Sequence, residues 1–220
     1  MIRIKKIALL LMISIVGVAV LFIFIFHKLP KAEWPVSEQQ KPNYKEILFP
    51  TPNYDKDRPN NIIGVVLHHT AEPTVEKSLA ILSSPTRKVG AHVVIDIDGT
   101  RYVMANPNVA VFHAGYSILH EVESCNYCTI GIEFQGNTLV APLTEDQINS
   151  AIQYLLPKIE KYDIPIKNIV THEMVRTAYK KKYPQKRCSG KIDITPIEYA
   201  RFMNILKTKM RESNISYREC

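Results

Sequence analysis

Three short apolar runs, each leading to a polar side chain suited to chemistry, constrain the fold of this chain most strongly. One run, Ile62–Leu67, is followed by His68, and the other two lead to Glu133 and to His172. The first run is so continuously apolar that it predicts a strand buried on both faces. Because strands can bring their ends to one edge of a sheet, the pattern predicts that the two histidines and the carboxylate converge there.

The segments around these runs predict helices and one hairpin. A helical period of apolar residues starts at Val75, and Asp98-Gly99 is a turn signal between two alternating runs. A capping box at Thr144–Gln147 and a Thr195-Pro196 pair each predict the start of a further helix. The predicted fold class is α/β, a three-layer domain with a central mixed β-sheet flanked by helices and preceded by one N-terminal transmembrane helix.

The transmembrane helix is predicted from Ile7–Phe26, a run of 20 residues without a charged side chain. At about 1.5 Å per residue, this length spans a hydrocarbon core of roughly 30 Å. Arg3, Lys5 and Lys6 precede the run, so the positive-inside rule places the N-terminus in the cytoplasm. Without a small-residue cleavage site, an uncleaved signal anchor is favoured over a cleaved signal peptide. We expect a single-pass protein of the inner (cytoplasmic) membrane whose folded domain lies on the extracytoplasmic, periplasmic side.

The chain divides into four predicted parts: a signal anchor, a proline-rich linker, one folded domain and a C-terminal tail, at residues 1–28, 29–61, 62–210 and 211–220. Six prolines between positions 30 and 59 predict a semi-extended tether. The apolar segment Ile47-Leu48-Phe49 could instead pack on the domain. The roughly 150 residues that remain are enough for one domain with a substantial core.

The net charge of +7 is concentrated between Arg176 and Lys191. Such a segment suggests nucleic acid, but on an extracytoplasmic domain it would meet anionic envelope polymers or form a solvated loop. We therefore predict no nucleic-acid partner. The four cysteines include a Cys125-x-x-Cys128 pair, which is only half of a structural zinc motif. A disulfide is possible outside the cytoplasm, but the sequence does not define its pairing.

His68 and His172 are predicted to be metal ligands because each ends a strand at the same sheet edge. A hydrolytic zinc site uses three protein ligands and leaves a fourth position for water, whose pKa falls to about 7. Glu133 is expected at the same edge of the sheet. The third ligand should follow His172 and is either the Cys188 thiolate or the Asp193 carboxylate. A lysine precedes each candidate by two residues and could stabilise an oxyanion.

With these residues the sequence resembles the zinc-dependent N-acetylmuramoyl-L-alanine amidases, a superfamily that includes phage lysozyme-amidases and peptidoglycan recognition proteins. The resemblance covers about Ile62–Leu206. It is carried by motifs in the family's order: Val66-Leu67-His68-His69-Thr70, the segment Gly90–Gly99, Phe112-His113-Ala114-Gly115, Cys125-Asn126 and Ile130-Gly131-Ile132-Glu133. The last two motifs are most similar to the branch that cleaves anhydro-muropeptides during cell-wall recycling.

The resemblance implies roles for individual residues. His68, His172 and Asp193 would bind Zn²⁺. Glu133 would act as the general base and acid, and Lys191 would stabilise the oxyanion. Substrate contacts would fall to three further histidines in the matched motifs: His69, His92 and His113.

The resemblance also favours one of the two candidates for the third ligand. The recycling branch has a Lys-x-Asp motif and then a helix with Arg-Phe, and Lys191-Ile192-Asp193 and Arg201-Phe202 match this order. The phage and recognition-protein branches have a cysteine that is usually followed by proline, whereas Cys188 is followed by serine. Asp193 is therefore favoured. If Cys188 were the ligand, Lys186 would take the place of Lys191.

The function that the resemblance implies is zinc-dependent hydrolysis of the amide bond between N-acetylmuramic acid and L-alanine in peptidoglycan or muropeptides, as in cell-wall turnover. One alternative is a recognition module that binds muropeptides without cleaving them. Another is a zinc amidase for a different acyl-amino-acid amide. We expect a monomer whose partners are its peptidoglycan or muropeptide substrate and the membrane around its N-terminal helix.

Overall fold

A six-stranded sheet organises the part of the chain that the computed structural model describes, residues 43–186 and 193–215. These residues form ten β-strands: β1 Glu46–Leu48, β2 Tyr54–Pro59, β3 Gly64–His69, β4 Val93–Ile95, β5 Arg101–Val103, β6 Val109–Val111, β7 Ile118–Leu119, β8 Val122–Glu123, β9 Thr129–Phe134 and β10 Ile169–Thr171. They also form four α-helices: α1 Val75–Leu82, α2 Glu145–Lys161, α3 His172–Lys182 and α4 Pro196–Glu212.

The strand order of the main sheet is β1-β5-β4-β9-β3-β10. Strands β4 and β5 pair antiparallel, and the other neighbours in this sheet pair parallel. The β4–β5 hairpin turns at Gly99, whose φ of 81° lies in the left-handed region that glycine adopts without strain. The prediction of a mixed sheet and the prediction of an Asp98-Gly99 hairpin are both confirmed.

Helices cover both faces of the sheet because alternate side chains of each strand point to opposite sides. On one face, Leu67 of β3 packs in a core with Phe202 of α4 and with side chains of α2. On the other face, Val66 packs with Val175 of α3, while Leu79 of α1 belongs to a separate cluster that includes β4. The result is the predicted layered α/β arrangement of a central sheet between helices.

Three helices begin where the sequence predicts. Thr74 caps α1, and its side chain accepts a hydrogen bond from the Lys77 amide. Thr144 and Gln147 form a reciprocal capping box at the start of α2. At α4, Thr195 is the N-cap and proline occupies the first turn. Each cap satisfies an amide that a helix N-terminus would otherwise leave without a partner.

The predicted tether over residues 29–61 is wrong for its second half. Strand β1 joins the main sheet beside β5, and β2 pairs antiparallel with β6. The side chain of Asn53 bonds three backbone carbonyls of the domain, those of Leu82, Ser84 and Val89. Proline frequency alone does not distinguish a tether from edge strands, which also tolerate proline.

The interpretation of the basic segment as a solvated loop is also wrong, up to Lys182. Helix α3 starts directly at the end of β10, where the Thr171 side chain accepts a hydrogen bond from the Met174 amide. Val175 and Tyr179, one turn apart, are buried on one face of this helix. Three lysines occupy its last turn, where positive charge is favoured by the helix dipole.

None of the helices within residues 43–186 and 193–215 is both long enough and apolar enough to span a bilayer. The predicted anchor, Ile7–Phe26, lies outside the described residues, as does the second half of the predicted tail, residues 216–220. Cys125 and Cys128 are both buried as free thiols, whereas Cys188 and Cys220 lie outside the described residues.

Candidate active site

The candidate active site lies where three neighbouring strands end. In the parallel pair β3–β9, His68 is directly opposite Glu133. In the parallel pair β3–β10, Thr171 is opposite Leu67, so His172 follows at the level of His68. The strand ends therefore bring together the two histidines and the carboxylate that the sequence predicted at one sheet edge.

Asp193 joins this group from the segment that leads into α4. Its Oδ2 atom lies 3.2 Å from Nδ1 of His68 and 2.7 Å from Nδ1 of His172. One ligand atom from each of these three residues lies within 4.8 Å of the other two, so the group can hold a metal ion. Asp193 and His68 are almost fully buried, and the cluster therefore has little competition from bulk water.

The Asp193 carboxyl is charged in this setting. Burial by itself raises the pKa of Asp193, but hydrogen bonds from His172 and His68 outweigh it and hold that pKa well below its usual range. A buried carboxylate is retained in folded proteins only when cations or hydrogen-bond donors compensate its charge. The two imidazoles, or a cation bound between them and the carboxylate, supply that compensation.

The hydrogen bonds of His172 show that the cluster suits a cation. Its Nε2 atom lies 3.1 Å from the carbonyl oxygen of Ala114, which can only accept, so Nε2 carries a proton. In the neutral ring, Nδ1 then has a lone pair directed at a carboxylate oxygen 2.7 Å away. Only a cation between the two atoms, a proton or a metal ion, makes that contact favourable. Two imidazoles and a carboxylate are also a donor set that catalytic zinc sites use, so the residues present fit this ion.

His69 supports the site from behind and does not face the cleft. Its Nδ1 atom accepts a hydrogen bond of 3.1 Å from the Thr138 amide. The Thr138 hydroxyl in turn donates to the Asp193 carbonyl and accepts from the Thr195 amide. His69 is 1% exposed. This placement contradicts the expected substrate contact and makes His69 part of the network that positions the Asp193 segment.

His92 is likewise inside the protein and not in contact with the cleft. Its Nδ1 atom accepts from the Gly131 amide at 2.9 Å, and its Nε2 atom donates to the Val109 carbonyl at 3.0 Å. Burial lowers the pKa of His92 to about 4, so the ring is neutral near pH 7. With both nitrogens bonded to backbone atoms, His92 has no group to offer a substrate, contrary to the expectation from sequence.

His113 lies at the cleft, between the candidate ligand His68 and the buried His92. Its Nδ1 atom is 3.1 Å from Nε2 of His68, and its Nε2 atom is 3.3 Å from the Thr129 hydroxyl. Burial, together with the positive charge that neighbouring histidines can carry, holds the pKa of His113 well below its usual range. The ring borders the cleft, and its predicted contact with substrate stays a prediction.

Two cavities meet at the site. The first, of about 280 Å³, is lined by the three candidate ligands and Glu133. The second, of about 690 Å³, extends past Tyr116 and Arg176. Both are lined by His113 and His172, so the candidate ligands lie where the two cavities adjoin. Together they have the size of small-molecule and cofactor sites in other proteins.

In the part of the chain that the structure describes, neither lysine expected to stabilise an oxyanion is seen beside the candidate metal ligands. Lys191 lies outside those residues, and its role stays a prediction. The Nζ atom of Lys186 lies 5.0 to 5.7 Å from the ring centroids of three tyrosines, which are Tyr116, Tyr179 and Tyr183. Lys186 lines a separate depression beside the larger cavity, and this position does not favour it as the alternative oxyanion partner.

Several residues that shape the site were not predicted. Asn126 accepts hydrogen bonds from the amides of His113 and Ala114 through its Oδ1 atom. Arg176 is buried and lines the larger cavity. It lies four residues after His172 on α3, a spacing that places two side chains on one helix face. The spacing predicts this placement of Arg176 only if the basic segment is first recognised as a helix.

Comparisons with known proteins agree with this geometry. The sequence profile of the N-acetylmuramoyl-L-alanine amidase family matches residues 58–191. A solved structure of a selenomethionine derivative of AmpD is 20% identical, with a TM-score of 0.54 over 72% of this chain and 93% of that chain. The amidase LysC from Clostridium intestinale is 23% identical, with a TM-score of 0.51 over 77% of this chain and 99% of that one.

A mutant endolysin from Bacillus subtilis is 19% identical, with a TM-score of 0.53 over 74% of this chain and 99% of that one. At these identities the structural likeness shows a shared fold. Comparison with curated protein sequences gives no match. The family profile covers more than half of the chain, including the strand ends that carry His68, Glu133 and His172. The chain therefore belongs to the N-acetylmuramoyl-L-alanine amidase family and is an amidase.

Proposed function

We propose that this amidase depends on zinc and hydrolyses the amide bond between N-acetylmuramic acid and L-alanine in peptidoglycan or muropeptides. The proposed metal ligands are His68, His172 and Asp193, and the proposed general base and acid is Glu133. The observation that carries the proposal is the convergence of three ligand atoms within 4.8 Å of one another in a cavity that Glu133 also lines.

Asp193 is proposed as the third ligand in preference to Cys188. Its carboxylate is buried and contacts both histidines through one oxygen. The Thr138 hydroxyl bonds the Asp193 carbonyl and the amide of the α4 N-cap, so the backbone on this side of Asp193 is fixed as well. Cys188 lies outside the described residues.

The chemistry divides between the metal and the chain's own side chains. When bound, a zinc ion supplies a Lewis acid for the amide carbonyl and lowers the pKa of water to about 7. Glu133 accepts a proton from the attacking water and returns it to the alanine nitrogen as the carbon–nitrogen bond breaks. Lys191 is proposed to stabilise the developing oxyanion. The products are the glycan, with its lactyl carboxylate, and the free stem peptide.

The alternative of a recognition module that binds muropeptides without cleaving them has less support. Loss of cleavage in such a module would follow from the loss of a ligand or of the general base. Here a complete ligand set and a carboxylate opposite His68 share one cavity. This completeness favours turnover over binding alone.

We also propose that the enzyme is held at the inner membrane by Ile7–Phe26, with its domain on the extracytoplasmic side and as a monomer. The uncharged length of that segment and the basic residues before it support the anchor. Protease added to spheroplasts should degrade the domain and leave a membrane-embedded N-terminal fragment. A domain that resists protease until the membrane is lysed would contradict this orientation.

The zinc-dependent reaction is tested with the full chain in detergent. The chain is incubated with a defined N-acetylmuramoyl-L-alanyl peptide, with and without a chelator, while products are identified by mass spectrometry and bound zinc is measured. Release of free stem peptide that stops on chelation and returns on addition of zinc is the expected result. Cleavage that persists in metal-free protein would contradict the proposal, and tight binding without cleavage would favour the recognition module.

A further inference from the structure

We propose that the dipeptide His113-Ala114 is the outer support of the metal centre, with His113 acting as a positioning residue for His68. In this role His113 fixes which nitrogen of His68 carries the proton, and Ala114 does the same for His172. The proposal rests on the zinc site proposed above. It gives His113 a different task from the substrate contact expected from sequence.

The histidines are linked to a backbone carbonyl by a series of hydrogen bonds. Because that carbonyl can only accept, it fixes which atom donates in every bond of the series. The Thr129 hydroxyl lies 2.7 Å from the Cys125 carbonyl oxygen. A carbonyl can only accept, so the single hydroxyl hydrogen of Thr129 is used there. At its other contact, 3.3 Å from Nε2 of His113, the Thr129 oxygen must therefore accept. His113 thus carries its proton on Nε2.

The protonation of His68 follows from that of His113. With its proton on Nε2, neutral His113 has a lone pair on Nδ1, which accepts from Nε2 of His68 across 3.1 Å. In the neutral form that can bind a metal ion, His68 then has its lone pair on Nδ1, the atom that faces Asp193. His172 reaches the same state by a shorter route, since its Nε2 donates directly to the Ala114 carbonyl.

The backbone around His113 holds both supports in register. The Oδ1 atom of Asn126 accepts from the His113 amide at 2.9 Å and from the Ala114 amide at 2.7 Å. The ring of His113 lies over Gly131, where an added Cβ would come within 2.5 Å of the imidazole. Glycine at this strand position is thus what lets the ring lie between Thr129 and His68.

Fixed hydrogen-bond acceptors behind the ligating histidines are expected to strengthen metal binding. A ligating histidine usually donates its second nitrogen to a fixed acceptor, which sets the tautomer and the orientation of the ring. Loss of such a partner typically lowers metal affinity by 10-fold to 100-fold. Here one dipeptide supplies the acceptors for both histidines, through a side chain in one case and a carbonyl in the other.

The test uses the zinc-loaded full chain and two matched variants of Thr129. Thr129→Val keeps the shape of the buried side chain but removes the hydroxyl, whereas Thr129→Ser keeps the hydroxyl. Zinc affinity is measured by competition with a fluorescent chelator, and the tautomer of His113 is read from the ¹⁵N shifts of its ring. We expect Thr129→Val to weaken zinc binding by about 10-fold to 100-fold and to mix the His113 tautomers, while Thr129→Ser preserves both.

A second pair of variants addresses His113 itself. His113→Phe removes both ring nitrogens and should weaken zinc binding, and His113→Asn, which returns an acceptor near the position of Nδ1, should restore most of the affinity. Equal zinc affinity and an unchanged His113 tautomer across the Thr129 pair would overturn the proposal. So would His113 variants that raise KM without changing zinc affinity, since that result assigns the ring to substrate. A wild-type chain that binds no zinc would instead contradict the proposed function, and this result appears without any substitution.

Discussion

His68 and Glu133 stand directly opposite each other on the neighbouring parallel strands β3 and β9. Because side chains alternate along a strand, this register places both on the same face of the sheet and in the same cavity. One strand thereby presents a candidate metal ligand and the next presents the candidate proton carrier. A shift of register by one residue would turn Glu133 away from His68.

Replacement of Glu133 by glutamine should separate proton transfer from metal binding. Glu133→Gln keeps the size of the side chain but removes its basicity, so kcat/KM should fall by about 10²-fold to 10⁴-fold. Bound zinc, measured after gel filtration, should stay at the wild-type level because Glu133 is not a proposed ligand. Glu72→Gln is the matched control, since Glu72 lines the same cavity but pairs with Lys77. Full activity in Glu133→Gln would refute the assigned role.

Asp193 should control metal occupancy more strongly than Cys188 does. Asp193→Ala removes a charged contact shared by two histidines, and zinc affinity should fall by more than about 100-fold, beyond the effect of losing an outer partner. Cys188→Ser should leave zinc bound. The measurement is zinc content after dialysis against a series of buffered free-zinc concentrations. Loss of zinc only in the cysteine variant would show that the thiolate is the ligand.

Gly131 should be required at its position because of the ring above it. In Gly131→Ala, the added methyl group would meet His113 at 2.5 Å, so the ring must move away from His68. We expect zinc affinity to fall by about 10-fold to 100-fold, with the far-UV circular dichroism spectrum unchanged. Ile132→Val, on the opposite face of the same strand, should cost about 1 kcal/mol of stability and leave zinc affinity as it was. An alanine variant with normal zinc affinity would show that the site tolerates displacement of His113.

The residues alone left the third ligand open between Cys188 and Asp193, and only the family resemblance favoured Asp193. The strand ends and the two histidine ligands could be anticipated from sequence because local signals agree with the tertiary structure there. The runs before His68 and His172 both form buried strands. These features depend on residues close together in the chain. The sequence did not predict the order of the strands in the sheet, and the pairing of β3 with β9 is what places His68 beside Glu133.

The supporting histidines could not be assigned from sequence because their roles depend on partners far along the chain. His69 bonds Thr138, and His92 bonds Gly131 and Val109. A histidine in a matched motif looks the same whether its ring faces a cleft or a backbone amide. Helix α3 was missed for a related reason, since its lysines mask the short apolar face formed by Val175 and Tyr179.

His92 should make the fold sensitive to mild acid. Burial lowers its pKa to about 4, against 6.5 for an exposed histidine. Above pH 6.5 the ring is neutral in both states, and its full contribution to stability is present. As the pH falls from 6.5 to 4, the unfolded chain takes up a proton that the folded chain excludes, so up to about 3 kcal/mol is lost. Urea unfolding of metal-free protein at several pH values measures this loss.

His92→Gln, which keeps a donor for the Val109 carbonyl but does not titrate, should show a weaker pH dependence. The same slope in both proteins would mean that His92 is protonated in the folded state or that another group governs acid unfolding.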